Sequence, residues 1–452
     1  MTATTAHSSR PTRQAVETTA PTGPVGRAVL GSLAVSIAAA VVLTLGVFAG
    51  ADEHAITGSA LLAFGAGWAM LAVLTSRYTS QPQRWARVPA AVLSVTGAGL
   101  LVAAPGEGAM TTAGWVWPPA LLALTIWSGL ELRKAMTGRA RWVLLALLTG
   151  MAVAAVGGGA ETVALAHDKS ALGMPGKRYD VGGHRLHLTC VGSGSPTVVL
   201  VSGTAEMSAS WARVVPQVAS TTRVCAYDRA GQGWSDDPPH PQDAVEMAAD
   251  LHGLLAAAGE QGPYLLAGHS LGGVYGMTFA AQYPADVAGL VLLDSASPQQ
   301  FTALPKFPTQ YAMLRRLYGL APVVARLGVG RLVSSSMFSA LPQPAAGQVR
   351  AFETSSRGLG NARDEVSRYR DAFRQAGALR TLGTKPLVVV TAAGTLRDTP
   401  GWAAAQDGLA ALSSDALHTV ADTTHAGLLE DVSGARESAD AIEAATRSVR
   451  RS

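Results

Sequence analysis

The sequence predicts two architectures in one chain. A bundle of about five membrane-spanning helices comes first, and an α/β domain with a largely parallel sheet follows it. Three observations predict this. The 452 residues are 48% hydrophobic with only 15% charged, where a soluble domain carries about 25% charged residues. The apolar excess is concentrated between residues 28 and 165 in five uncharged runs. After about residue 179 short β-branched apolar runs alternate with helical stretches, the pattern of a sheet covered on both faces.

Residues 1–26 are rich in Thr, Ala, Pro and Ser and show no hydrophobic periodicity. They cannot bury enough surface to offset ordering entropy and are expected to be a disordered tail. A transmembrane region over 27–166 follows. Its uncharged runs are Ala28–Gly50, Ile56–Ser76, Val88–Pro105, Ala113–Leu130 and Trp142–Ala160, and about 20 such residues cross a bilayer. Five uncharged runs in succession leave no polar face for water, which argues against a soluble helical bundle. Pro118 and Pro119 fall at the start of the fourth run, where proline is tolerated.

The connecting segments set an orientation. Arg10, Arg13 and Arg27 precede the first run, Arg77, Arg84 and Arg87 precede the third, and Arg133, Lys134, Arg139 and Arg141 precede the fifth. The other two connections carry Asp52, Glu53 and Glu107 without Lys or Arg. Positive charge stays inside, so the N-terminus is expected in the cytoplasm and everything after about residue 166 outside. Trp68, Trp85, Trp115, Trp117, Trp127 and Trp142 lie mostly near the span ends, as an aromatic belt requires, with Trp68 and Trp127 deeper. Glu161, near the end of the fifth run, reads as interfacial. The abundance of Arg over Lys and of Ala and Gly suggests a GC-rich bacterial genome, hence a bacterial cytoplasmic membrane.

A polar linker over 167–178 leads into the second domain, 179–452. Strands are expected at Tyr179–Val181, Arg185–Cys190, Thr197–Val201, Arg223–Tyr227, Tyr264–Ala267, Gly289–Leu293, Leu387–Thr391 and Leu417–Ala421. Gly182-Gly183 signals a hairpin between the first two. Helices are expected at Ala244–Ala258, Gly272–Tyr283 and Ala435–Val449. A Pro-punctuated insertion at about 297–384, with helical pieces around 310–318 and 362–375, reads as a lid.

The string that carries chemistry is Gly268-His269-Ser270-Leu271-Gly272, between a strand and a helix. A serine on a sharp strand-to-helix turn needs small neighbours, and glycine removes the bulk that would clash. Its oxygen then stands clear of the sheet at a helix N-terminus. With Tyr227–Asp236 as the loop after the fourth strand, Val199–Thr204 as a candidate oxyanion loop, and Thr424-His425 followed by Glu430, the chain resembles the α/β-hydrolase superfamily, in its esterase/lipase-like branch, over about 177–450. The resemblance implies a mostly parallel eight-stranded sheet with a helical lid. It also implies a serine hydrolase that cleaves a small-molecule or lipid-like ester.

Candidate residues follow. In this fold the triad runs Ser, acid, His along the chain, and only His418 and His425 follow Ser270. His418 lies within a strand, whereas His425 lies in the loop beyond it and is favoured as base. His269 is read as a packing or hydrogen-bonding residue. For the acid, Asp294 at the end of the sixth strand is favoured, with Asp398 after the seventh as the alternative. Glu430 and Asp431 read as carboxylates at a helix N-terminus. The backbone N–H groups of Leu271 and Thr204 are the expected oxyanion donors, although Ser202-Gly203 stands where His-Gly is commoner. A serine nucleophile argues against epoxide hydrolase or haloalkane dehalogenase chemistry, which needs a carboxylate there. An aminopeptidase or acyltransferase of the same fold, and a non-catalytic binding module, are the alternatives.

The family's sheet order sets the strands of Cys190 and Cys225 side by side, so a disulfide or two buried thiols are both consistent, and an oxidising exterior suits the bond. No C-x-x-C or His/Cys cluster suggests a metal, and no cofactor is expected. The net charge of +4, with no basic run interleaved with aromatics, excludes a nucleic-acid partner by sequence. The lipid bilayer is the expected partner.

Overall fold

In the computed structural model the described residues are 24–334 and 337–452. The tail expected over 1–26 lies mostly outside them, and the first helix already begins at Val25. Helices α1 (Val25–Val42), α2 (Glu53–Tyr78), α3 (Arg87–Ala103), α4 (Glu107–Ala113), α5 (Trp117–Ala135) and α6 (Ala140–Ala171) make the N-terminal region. Four segments are long and apolar enough to cross a membrane, and α4 with α5 makes a fifth if that pair is one span bent by 45°. The break falls just before Pro118 and Pro119, whose rings cannot continue a preceding turn. One expectation changes here. The chain stays helical to Ala171, through the first part of the expected linker, where Asp168 pairs with Arg331 of the insertion, as Glu161 does two turns earlier on the same helix. Trp68, expected deeper than the span ends, and Trp85, beside the start of α3, are both buried, with ring centroids 5.5 Å apart, and Trp85 Nε1 donates to Gln83. Trp115 and Trp142 face outward.

The second region is built on one eight-stranded sheet: β1 (Lys177–Asp180), β2 (Arg185–Val191), β3 (Val198–Val201), β4 (Val224–Tyr227), β5 (Tyr264–His269), β6 (Val287–Leu293), β7 (Leu387–Ala392) and β8 (Ala416–Ala421). Their order is β1-β2-β4-β3-β5-β6-β7-β8. The pairings β1–β2 and β2–β4 are antiparallel and the others parallel. The central strands are unbroken apolar runs because both faces are covered. On β3, Val199 and Val201 join the core on one face while Val198 and Leu200 join the core on the other. The β1–β2 hairpin turns on Gly182 and Gly183, both at positive φ, with the Asp180 carboxylate accepting the Gly182 N–H at 2.8 Å.

Cys190 lies opposite Cys225 in the β2–β4 register, and the two form a disulfide. The insertion between β6 and β7 is helical, with its main pieces at Phe307–Arg326, Ala345–Glu353, Ser356–Ser367 and Tyr369–Ala376. Phe301, Phe307, Tyr311, Tyr369 and Phe373 pack ring against ring within it.

Candidate active site

β5 runs straight into the helix Leu271–Gln282 with Ser270 as the single turning residue, at φ 55° and ψ −122°. The surroundings enforce this conformation. A Cβ on Gly272 would stand 2.0 Å from Val201 O, and one on Gly268 would stand 2.5 Å from the Gly272 backbone. Only glycine at both flanks lets the strand turn so sharply. Of the five non-glycine residues at positive φ among the described residues, three are Ser270, Ala205 and Asp294. Such conformations cost of order 1–3 kcal/mol each and persist where the surroundings over-determine them.

Asp294 follows β6 directly and is fully buried. Its Oδ1 accepts from Trp402 Nε1 at 2.7 Å and from the Ala392 N–H at 3.2 Å. Its Oδ2 accepts from the Thr395 hydroxyl and lies 2.7 Å from His425 Nδ1. Burial pushes its carboxyl up, but the hydrogen bonds of His425 and Thr395 outweigh it and hold the group below the usual carboxylate range. His425, in the loop after β8, has a side chain 43% exposed. With Nδ1 engaged by Asp294, its Nε2 is left free to face the site. Ser270 Oγ makes no hydrogen bond to His425 among the described residues, and contacts of this kind commonly tighten only in the complex.

The other candidates fall elsewhere. Asp398 is exposed at the end of the short helix Ala393–Asp398, away from the His425 ring. His418 projects from β8, with Thr391 at 2.8 Å and Asp407 at 3.0 Å. His269 hydrogen-bonds as expected: Nδ1 lies 2.7 Å from Glu206 Oε1 and Nε2 3.0 Å from the His425 carbonyl. Burial would lower the His269 pKa, but the Glu206 carboxylate raises it above its ordinary value. Glu206 is pushed up by burial and brought below its ordinary value by His269 and the Gly203 N–H.

The candidate oxyanion loop lies beside Ser270. A Cβ on Gly203 would be 2.9 Å from Ser270 Cβ and 2.9 Å from Glu206 Oε2. Among the described residues the Leu271 and Thr204 amides donate to no protein acceptor. Behind the loop lies Arg229, buried, donating through Nη2 to Gly203 O at 2.8 Å and through Nη1 to Ser202 O. Glu206, Arg229, Thr395 and Trp402 were not singled out by sequence reasoning. Arg229 stood in the quoted Tyr227–Asp236 loop, where an arginine just after a buried strand was the available signal.

A strained serine at a strand-to-helix turn, a buried acid after β6 and a histidine after β8 share one edge of this sheet. Residues 196–385 match the family model described as alpha/beta hydrolase fold. This part of the chain is an α/β hydrolase. An α/β hydrolase of Nostoc superposes over 59% of this chain and 95% of its own at a TM-score of 0.50 and 20% identity, a likeness of fold alone. An uncharacterized protein of Schizosaccharomyces pombe is 33% identical over 196 residues, 36% of each chain. A Cronobacter turicensis protein named as a carbamate hydrolase, RutD, is 33% identical over 102 residues, 22% of this chain and 38% of its own. The chain spans well under two thirds of the length of the two sequence relatives, from Schizosaccharomyces pombe and Cronobacter turicensis.

Proposed function

We propose that the protein is a membrane-anchored serine hydrolase that cleaves a carboxylic ester, small or lipid-like, through an acyl-enzyme on Ser270. The observation that carries this reading is the 2.7 Å bond between His425 Nδ1 and Asp294 at the sheet edge that presents Ser270. It supports Asp294 over Asp398 as the acid, because only Asp294 touches the base.

The chemistry follows from the geometry. Asp294 holds the imidazole with Nδ1 protonated, so Nε2 is the basic nitrogen. Nε2 takes the Ser270 proton as Oγ attacks the acyl carbonyl, and the buried carboxylate stabilises the imidazolium that results. The N–H groups of Leu271 and Thr204 receive the oxyanion; losing one such donor costs roughly 10²–10³-fold in turnover. The imidazolium then protonates the leaving alcohol, and water attacks the acyl-enzyme by the same route in reverse.

The apolar N-terminal helices serve as the anchor, with the N-terminus in the cytoplasm and the hydrolase domain outside, where the Cys190–Cys225 bond is at home. An aminopeptidase would read a substrate amine with carboxylates. Glu206 and Glu353 do approach each other, but the cavity they line holds about 20 Å³, room for a water and no more. The reading tested first is therefore the esterase. A fluorophosphonate probe applied to the membrane-embedded protein should label wild type and leave Ser270→Ala unlabelled. Absence of label on folded wild type would sink the proposal.

A further inference from the structure

Arg229 and Glu365 form a buried ion pair, each 2% exposed, that the chemistry above does not use. Arg229 Nε and Nη2 lie 3.2 and 2.9 Å from Glu365 Oε1. Gln232 and Asn361 donate to the same oxygen at 3.0 and 3.3 Å, and the guanidinium lies over the Tyr275 ring at 4.5 Å. Taking two charges out of water costs several kcal/mol per ion, and such a pair often does no better for stability than apolar residues of the same volume. Its worth has to be sought in what it positions.

It positions the oxyanion loop. The remaining face of the guanidinium holds two successive carbonyls, Ser202 O and Gly203 O. A planar fork can do this, whereas an ammonium cannot. A trans peptide is planar, so the Gly203 carbonyl and the Thr204 N–H point in opposite directions. Fixing the carbonyl on Arg229 therefore fixes the direction of the Thr204 donor, and Gly203 of the same peptide lies against Ser270, since a Cβ on it would be 2.9 Å from Ser270 Cβ. Thr204 is held a second time through its side chain, whose hydroxyl is 2.7 Å from Tyr369 Oη. Glu365 and Tyr369 both belong to the insertion over the site, on the helices Ser356–Ser367 and Tyr369–Ala376.

We infer that Arg229, Glu365 and Tyr369 are positioning residues through which the lid sets the Thr204 N–H in the oxyanion hole. The lid is then part of the transition-state machinery as well as a cover. This inference rests on the reading of Ser270 as nucleophile and Thr204 as oxyanion donor.

The test uses the full-length protein in nanodiscs. An interaction made only in the transition state lowers kcat and leaves KM in place. Glu365→Gln and Arg229→Lys should each lower kcat on a p-nitrophenyl ester by roughly 10–10²-fold, within the range of a disturbed oxyanion donor. KM should stay within about twofold, and phosphonylation of Ser270 should slow in proportion. The double variant should fall little further than Arg229→Lys alone, since both act on one peptide. Tyr369→Phe removes one hydroxyl and should lower kcat several-fold; it carries the test if the charge variants do not fold. Folded variants with wild-type kcat, or with the loss confined to KM, would overturn the inference while leaving the serine-hydrolase reading intact. Wild type unlabelled at Ser270 would remove that reading, and this inference with it.

Discussion

Two charged networks hold this molecule in shape, and they are built in opposite ways. At the edge of the sheet, Asp294 is anchored by Trp402, Thr395 and the Ala392 N–H before it meets His425. Asp294 and Ala392 stand at strand ends, His425 lies in the loop after β8, and Thr395 and Trp402 come from the two short helices that follow β7. At the junction between the insertion and the N-terminal apolar helices the partners come from separate segments. Arg326 pairs with Glu53 and Glu107, Arg331 with Glu161 and Asp168, and Arg363 with Asp52. The backbones there nearly touch, since a Cβ on Gly157 of α6 would stand 2.3 Å from Leu327 O. One network orients a single histidine inside one fold. The other joins two folds, and the acids between the apolar helices, from which the sequence argues an orientation, are the same ones that pair with arginines of the insertion.

The largest effect should come from the sheet-edge network. Asp294→Asn keeps the volume but removes the charge that sets the tautomer, and should lower kcat by roughly 10³–10⁴-fold. Asp398→Asn should leave it within about twofold, because a surface substitution away from such features costs little. Steady-state ester hydrolysis by the two variants checks this. Equal losses would mean that the acid is shared between two loops and that the network is less local than the geometry indicates.

The disulfide ties the sheet's outer strands across 35 residues. By loop-closure entropy such a bond is worth about 3–4 kcal/mol, as an upper estimate. Cys190→Ser with Cys225→Ser should lower the unfolding midpoint of the hydrolase domain while folded protein keeps its kcat. Denaturant unfolding followed by residual activity separates the two. Loss of kcat in protein that is still folded would show that the site depends on the antiparallel end of the sheet.

The junction network comes next. Arg326 is 11% exposed and Glu53 8%, buried enough that removing one partner costs about 3 kcal/mol. Arg326→Glu should release the helix Phe307–Arg326 and raise its amide exchange by about 10²-fold, with the sheet unchanged. Adding Glu53→Arg should restore part of the protection. Unchanged exchange in Arg326→Glu would mean that packing alone seats the lid.

The same contrast explains what was legible in the sequence. All eight strands lie within a few residues of their expected positions, because buried parallel strands are short apolar runs bounded by polar turns. Ser270 was legible from the steric need for Gly268 and Gly272, and His425 from chain order. Asp294 was legible only as one of two strand-end acids, because Thr395 and Trp402, which select it, carry no pattern pointing across a hundred residues. The arginines of the junction were invisible for a stronger reason. The sequence showed Glu53 and Glu107 as outer-loop acids, but a partner 273 positions from Glu53 leaves no periodicity to read.

The smallest effect lies where the sheet-edge network meets the oxyanion loop. His269 and Glu206 are a buried pair that never leaves the site, and its contribution must depend on pH. Glu206 lies below its ordinary value of 4.5, so its part is present above about that pH and is lost as pH falls through the lower folded value. His269 lies above its ordinary value of 6.5, so its part is fully present below about 6.5 and is lost as pH rises through the higher folded value. Both parts coexist between about 4.5 and 6.5. His269→Gln should therefore lower the melting temperature most in that window, and the deficit should shrink as pH rises past the folded value of the histidine. Melting curves of both proteins from pH 5 to about 9 give the difference directly. A deficit that does not change with pH would mean that His269 is neutral in the fold and acts only as a hydrogen-bonding spacer behind His425. The pair would then belong with the packing of the sheet rather than with its charges.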